Sequence, residues 1–384
     1  MKISQLALTE NLYKILENTI KKNSFFSKDT QDYECETYKS FQYLNIIFNI
    51  SLKNNVRDTI VNEYTLSTSI IKKLLQKTYV FLAFLPVINN LFVHKRLQLP
   101  NKLNKYAIVP GNHRIRLFGS DLNKIIVLLK QGERIKFIQN DIKTRIKNNI
   151  SYAPKILSHG SDWLIEEFIN GEPFNRVKKI NFNKAIDVLI KNHLKEVINK
   201  EKISVNIETY LQFCLDEIET LTNTIVDNNP SKVKILGAVK KIIVYIRNEN
   251  LLEIETSVTH GDFQKGNIRI NSKNEIFVLD WEASDRRFYL YDLFVMLGDI
   301  RTGNDLESSF TLFFNNIDKF DDVNVKYSKK ATIALLCFEE LRFHLNEDIS
   351  ENYFYSGNNS SKIAKAIEEY ILNQTNKLKF VEDE

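Results

Sequence analysis

His260-Gly261-Asp262-Phe263-Gln264-Lys265-Gly266-Asn267, followed after a short interval by Val278-Leu279-Asp280-Trp281-Glu282, decides how this chain is read. The pattern is H-G-D, four residues, N, and then an apolar strand closing on D-W-E. Between the two stretches, Ile268-Arg269-Ile270 and Ile276-Phe277-Val278-Leu279 flank the polar run Asn271-Ser272-Lys273-Asn274-Glu275. Two short β-prone runs around a polar turn predict a β-hairpin. Such a hairpin brings the asparagine at its start and the aspartate at its end to one place. The plainer alternative makes Asp262 and Asn267 turn formers and Asp280 a helix cap.

The order of these residues resembles the catalytic and metal-binding loops of the aminoglycoside phosphotransferase and choline kinase group, distant relatives of protein kinases. The resemblance spans about 105–345. It implies an α+β, two-lobed protein-kinase-like fold with a small β-rich lobe and a larger helical lobe. ATP, with GTP as an alternative, is expected in the cleft between the lobes, and Mg²⁺ on its phosphates. Phosphoryl transfer needs a carboxylate near the attacking hydroxyl and oxygen ligands that hold the metal. The resemblance gives the first role to Asp262 and the metal to Asn267 and Asp280. His260 is the second catalytic-loop candidate, read as an anchor of the loop, with a general base as the alternative. Glu282 is open between a role beside the metal and a surface acid. Asp292, in Tyr289-Leu290-Tyr291-Asp292-Leu293, is expected to brace the catalytic loop through its backbone.

Upstream, Tyr106-Ala107-Ile108-Val109, Pro110-Gly111-Asn112, Arg114-Ile115-Arg116-Leu117-Phe118 and Lys124-Ile125-Ile126-Val127-Leu128-Leu129-Lys130 read as strand, turn, strand and strand. This is similar to the small lobe of a kinase. The turn at Gly111 and Asn112 would approach the phosphates through backbone N–H groups, and Lys130 would pair with them. The helix that should hold that lysine, about 135–147, carries Asp141 where the family offers a glutamate; Glu133 lies at its edge. Trp163-Leu164-Ile165-Glu166-Glu167-Phe168-Ile169-Asn170-Gly171 resembles the last small-lobe strand and hinge. Backbone groups at Glu167 and Phe168 would then meet the adenine edge.

The expected activity is transfer of a γ-phosphoryl group to a hydroxyl of a small molecule: an amino-sugar, amino-alcohol, sugar or surface-glycan precursor. Gly261 stands where protein kinases carry arginine, Lys265 sits one place later than their usual lysine, and no A-P-E segment follows. The competing reading, a silent kinase-like scaffold, draws on the single turn glycine and the absent helix glutamate. Against it, Asp262, Asn267 and Asp280 are all present.

The composition is ordinary for a soluble globular protein. The chain has 384 residues, 43% hydrophobic and 26% charged, with a net charge of +5. That excess is too mild to argue for nucleic acid. Three separated cysteines form no metal pattern and suit a reducing, cytoplasmic setting. Residues 1–103 are expected to be a helical extension, 104–170 the small nucleotide-binding lobe and hinge, and 171–384 the large lobe. Residues 174–258 read as mostly helical. The apolar stretch 79–93, broken by Pro86, Asn89 and Asn90, is too short to span a bilayer. It is read as a buried helix or, alternatively, as peripheral contact with a membrane surface.

Overall fold

The computed structural model describes residues 10–27, 34–41, 45–49, 51–52, 56, 70–85, 88–91, 93–111, 113–119, 121, 123–174, 182–223, 230–348 and 360–370. The chain divides into two compact units, one of Met1–Ile146, Ala153–Lys178 and Arg269–Phe277, the other of Lys147–Tyr152, Lys179–Ile268 and Val278–Glu384.

The first unit is built on an eight-stranded sheet. Its strands are β1 (Cys35–Phe41), β2 (Ile46–Asn49), β3 (Lys95–Pro100), β4 (Ala107–Pro110), β5 (Arg114–Phe118), β6 (Lys124–Leu129), β7 (Ile156–His159) and β8 (Trp163–Glu167). They lie in the order β3-β1-β2-β4-β5-β6-β8-β7, each pair antiparallel. Helices α1 (Glu10–Lys22), α2 (Ile70–Phe84) and α3 (Lys136–Asn148) belong to the same unit.

The uninterrupted apolar run of β6 has a simple cause. Successive side chains of a strand point to opposite faces. Ile126 and Leu128 enter the core made with Tyr13, Leu16 and Ile20 of α1, whereas Ile125, Val127 and Leu129 meet Phe137, Ile138 and Ile142 of α3. Both faces are covered, so no polar alternation is left to read. Burying each such side chain contributes about 1.5–3 kcal/mol.

The reading of residues 1–103 as mainly helical is corrected here. Helices α1 and α2 occur where the spacing of apolar residues places them, but β1, β2 and β3 extend the sheet from β4. Tyr38, Phe41, Leu97 and Leu99 are buried in its cores. The alternation Arg96-Leu97-Gln98-Leu99 carried that signal, and Pro100 ends a strand of the sheet. Helix α1 is also tied to the strand-end lysine segment, because the Gln131 N–H donates to Thr19 Oγ1 at 2.9 Å.

In the second unit, α4 (Phe182–His193) continues into a wider helical turn at Leu194–Ile198. It is followed by β10 (Ile203–Asn206), α5 (Ile207–Thr222), α6 (Pro230–Asn248), β11 (Glu253–Thr259), β14 (Asp285–Phe288), α7 (Tyr291–Leu297), α8 (Leu306–Ile317) and α9 (Lys329–Asp348). The stretch 174–258 is therefore less uniformly helical than its periodicity suggests. Strands β10, β11 and β14 form a three-stranded sheet, and β11 runs directly into His260. The predicted hairpin is present as β12 (Ile268–Asn271) and β13 (Ile276–Val278), with β9 (Gly171–Pro173) on its edge. Gly171, expected to close the hinge, opens β9 instead. A Cβ there would lie 2.5 Å from the Ile270 carbonyl oxygen, so the close approach of β9 to β12 requires glycine.

Candidate active site

The H-G-D…N loop is positioned from beneath by one carboxylate. Asp292, on the first turn of α7 and fully buried, accepts the His260 N–H at 2.6 Å and the Gly261 N–H at 2.9 Å. His193 donates to the same carboxylate through Nε2 at 2.7 Å, and its Nδ1 pairs with the Tyr152 hydroxyl at 2.6 Å. Burial alone would raise the Asp292 carboxyl. The hydrogen bond and charge of His193, together with those of His260, outweigh it and hold the carboxyl below its usual range. The loop is also pinned laterally. Gly261 has φ +85°, and a Cβ on it would stand 2.2 Å from the Ala283 carbonyl oxygen, so only glycine lets the loop lie against the D-W-E turn.

His260 joins the two motifs. Its Nε2 lies 3.0 Å from the Leu279 carbonyl oxygen, which can only accept. Its Nδ1 lies 3.2 Å from the Asp262 N–H, which can only donate. The ring is therefore a single neutral tautomer with both nitrogens engaged, stacked obliquely on Trp281 with centroids 4.6 Å apart. These contacts are the ones expected of an anchor of the loop. Burial depresses its pKa, against the opposing charges of Asp292 and Asp262.

A stability prediction follows from that depression. The unfolded chain protonates this histidine near pH 6.5, whereas the folded loop accepts only the neutral ring. The contribution is therefore complete above about pH 6.5 and is lost progressively as the pH falls below it. Thermal melts from about pH 8 to pH 5 should show Tm declining below about pH 6.5. His260→Asn should flatten that part of the curve.

Asp262 accepts hydrogen bonds on both oxygens. Oδ2 accepts from Gln264 Nε2 at 2.6 Å and from Asn267 Nδ2 at 3.0 Å, and Oδ1 accepts from Arg301 Nε at 3.0 Å. The side chain keeps 22% of its surface exposed, so it is presented and not sealed. Asn267 spends its amide nitrogen on Asp262 Oδ2 and on the Asp262 carbonyl, 2.9 Å away. Its side-chain oxygen remains as the group that could ligate a cation. The Leu279 N–H donates to the Asn267 carbonyl at 2.8 Å, which sets Asp280 beside it, and Asp280 takes a left-handed backbone (φ 69°) at the end of the strand.

These donors fit Mg²⁺. The ion takes one or two protein oxygens and completes its octahedron with water and phosphate. Among the described residues no group of three or more His, Cys, Asp or Glu is arranged as a self-sufficient metal cage. The Asn267–Asp280 pair is a set of the former kind.

Arg301 escaped the sequence reading. It follows α7, beyond the left-handed Asp299, and its guanidinium bridges Asp262, Glu340 and the Tyr291 hydroxyl while lying over the Phe343 ring. Burial of Glu340 would raise its carboxyl, but Arg301 and His344 outweigh that and hold it well below the usual range. A lone arginine 39 residues from Asp262 belongs to no local motif. The only hint was an acidic pair, Glu339-Glu340, directly after the apolar run Ile333-Ala334-Leu335-Leu336-Cys337-Phe338. Arg301→Lys keeps the charge but cannot span three partners. It should lower kcat roughly 10- to 100-fold through misorientation of the carboxylate, with KM for ATP nearly unchanged, in steady-state kinetics.

The other candidates lie in the first unit. Lys130 is 2% exposed at the end of β6. Asp141 is committed to arginines, accepting from Arg114 Nη1 and Arg145 Nε at 2.5 Å each. Glu133 pairs with His113 at 2.9 Å. The Gly111 N–H closes the β4–β5 hairpin onto the Arg114 carbonyl at 2.7 Å, so this amide does not reach outward as expected. Asn112 lies outside the described residues. At the expected hinge, the Glu167 and Phe168 N–H groups donate to the carbonyls of Lys155 and Asn123, each at 2.9 Å. An adenine edge there would meet carbonyl oxygens.

The H-G-D…N and D-W-E loops lie in one stretch of the chain that matches a known family. In particular, residues 229–312 match the model of the phosphotransferase enzyme family. No curated protein matches the chain in sequence. Among solved structures, it is similar to the choline kinase LicA from Streptococcus pneumoniae, with 12% identity, 74% of this chain and 96% of that one covered, and a TM-score of 0.45. It is also similar to a choline kinase from Cryptosporidium parvum Iowa II (15% identity, 71% and 91% covered, TM-score 0.46). A third is a thermostable mutant of the aminoglycoside phosphotransferase APH(4)-Ia in a ternary complex with ADP and hygromycin B (11%, 68% and 92%, TM-score 0.47).

Proposed function

We propose that the chain moves the γ-phosphoryl group of ATP to a hydroxyl of a small molecule, an amino-sugar, amino-alcohol, sugar or surface-glycan precursor. The observation that carries this is the hydrogen-bonded cluster of Asp262, Asn267 and the Leu279–Asp280 strand end, with the Asp262 side chain presented. Asp262 accepts a hydrogen bond from the acceptor hydroxyl and takes its proton as the phosphoryl group departs from the nucleotide. Arg301, Gln264 and Asn267 keep the carboxylate pointed. Asn267 and Asp280 would hold Mg²⁺, which when bound neutralises phosphate charge. On the nucleotide side, Lys130 is proposed to contact phosphate and the backbone of Glu167 and Phe168 the adenine.

The test is ATP consumption across a panel of those four acceptor classes with Mg²⁺, repeated after chelation. Acceptor-dependent turnover that disappears with EDTA and returns with Mg²⁺ is expected. ATP binding with no turnover on any acceptor would favour the scaffold.

A further inference from the structure

Helix α2 presents its apolar stripe to solvent. At 100° per residue, Ile71, Leu74, Leu75 and Phe81 share one side, and they are 72%, 65%, 64% and 65% exposed. The following helical turn, Ile88–Leu91, adds Leu91 at 83%. The helix meets the body along one border of this stripe: Tyr79, one turn beyond Leu75, packs on the core of Phe41, Phe48, Ala107 and Val109. Scattered exposed leucines are ordinary, but a continuous stripe of this kind marks a surface that something covers.

The charge around it says what. Residues 64–120 contain Lys72, Lys73, Lys77, Lys95, Arg96, Lys102, Lys105, Arg114 and Arg116 and no aspartate or glutamate. Nine cations against a chain total of +5 leave the remaining residues at −4. Arg114 is spent internally on Asp141. Beside the exposed Leu91, Lys39 Nζ and Arg96 Nη2 converge on the one Asn90 side-chain oxygen, at 3.0 and 3.3 Å. Partial burial and the nearby Arg96 charge lower the pKa of Lys39, the mark of cations crowded together. A second copy of this chain on the same face would bring two such basic segments together, which like-charge repulsion opposes.

We propose that α2 and the Ile88–Leu91 turn seat the protein on a membrane surface carrying anionic headgroups. Ile71, Leu74, Leu75, Phe81 and Leu91 enter the headgroup–acyl boundary, and Lys39 and Arg96, paired across β1 and β3, face lipid phosphates. The helix lies on the membrane: among the described residues no helix is long and apolar enough to cross one. This placement is independent of the phosphotransferase reading.

The test is co-sedimentation of the full chain with vesicles of phosphatidylcholine alone and of phosphatidylcholine mixed with phosphatidylserine. Binding to the mixed vesicles, weakening as salt rises, and about tenfold or more loss in Leu74→Glu/Leu75→Glu are expected. Lys39→Glu/Arg96→Glu should weaken the anionic component alone. Three results would overturn the proposal: no binding to either vesicle, concentration-dependent self-association abolished by the leucine variant, or a marked fall in Tm of that variant. The second would mean that another copy covers the stripe, and the third that the chain itself does.

Discussion

Asp262→Asn should lower turnover by roughly 10²–10⁴-fold, the range for removing a positioned proton acceptor, while the protein stays folded. The substitution is nearly isosteric, and the altered chemistry is confined to the carboxylate. Both Asp262 oxygens accept hydrogen bonds, one from Arg301 and the other from Gln264 and Asn267. An amide must turn its NH₂ toward one of these sets of donors, which costs about 1–3 kcal/mol of stability. KM for ATP should change little, since Asp262 acts on the acceptor. Steady-state kinetics and a thermal melt check both parts. Turnover within a few-fold of wild type would remove Asp262 from the chemistry.

The second large effect is on stability. Asp292→Ala should cost about 3–5 kcal/mol, the range for breaking a buried charged contact by removing one partner. The carboxylate satisfies two backbone N–H groups of the catalytic loop and the ring of His193, all in the interior. Alanine leaves all three without an acceptor and removes the groove in which the loop is held. Such a loss is a large share of the roughly 5–15 kcal/mol that keeps a domain folded. Asp292→Asn retains one acceptor oxygen and should fall between wild type and alanine. Urea unfolding measures the difference, and a cost below about 1 kcal/mol would show that the loop is held by other contacts.

The site was legible where its chemistry is local. Asp262 and Asn267 lie five residues apart and bond directly, and Asp280 follows on the strand that Asn267 begins to pair. Asp292 was legible because a helix-start aspartate is well placed to accept backbone N–H groups. Arg301 and Glu340 were not, because their pairing joins the turn after α7 to the middle of α9 and exists only once the unit has packed.

The same division runs through the fold. Strands β4, β5 and β6 and helix α3 declared themselves through period and turn residues. Strands β1–β3 were hidden because their sequence neighbourhood is dominated by the apolar run of α2. Strand β11 was hidden because Glu253-Ile254-Glu255-Thr256 alternates in a segment whose neighbours are helical. The role expected of Gly111 rested on a backbone N–H group, and a sequence does not say whether a backbone donor is already engaged.

The most direct measurement follows the label of γ-labelled ATP in the presence of Mg²⁺ and the best acceptor of the panel, for the wild type and Asp262→Asn side by side. Label should pass to the acceptor hydroxyl with the wild type and scarcely at all with the variant. Equal transfer by both proteins, or label found only as free phosphate, would contradict an Asp262-centred phosphotransferase.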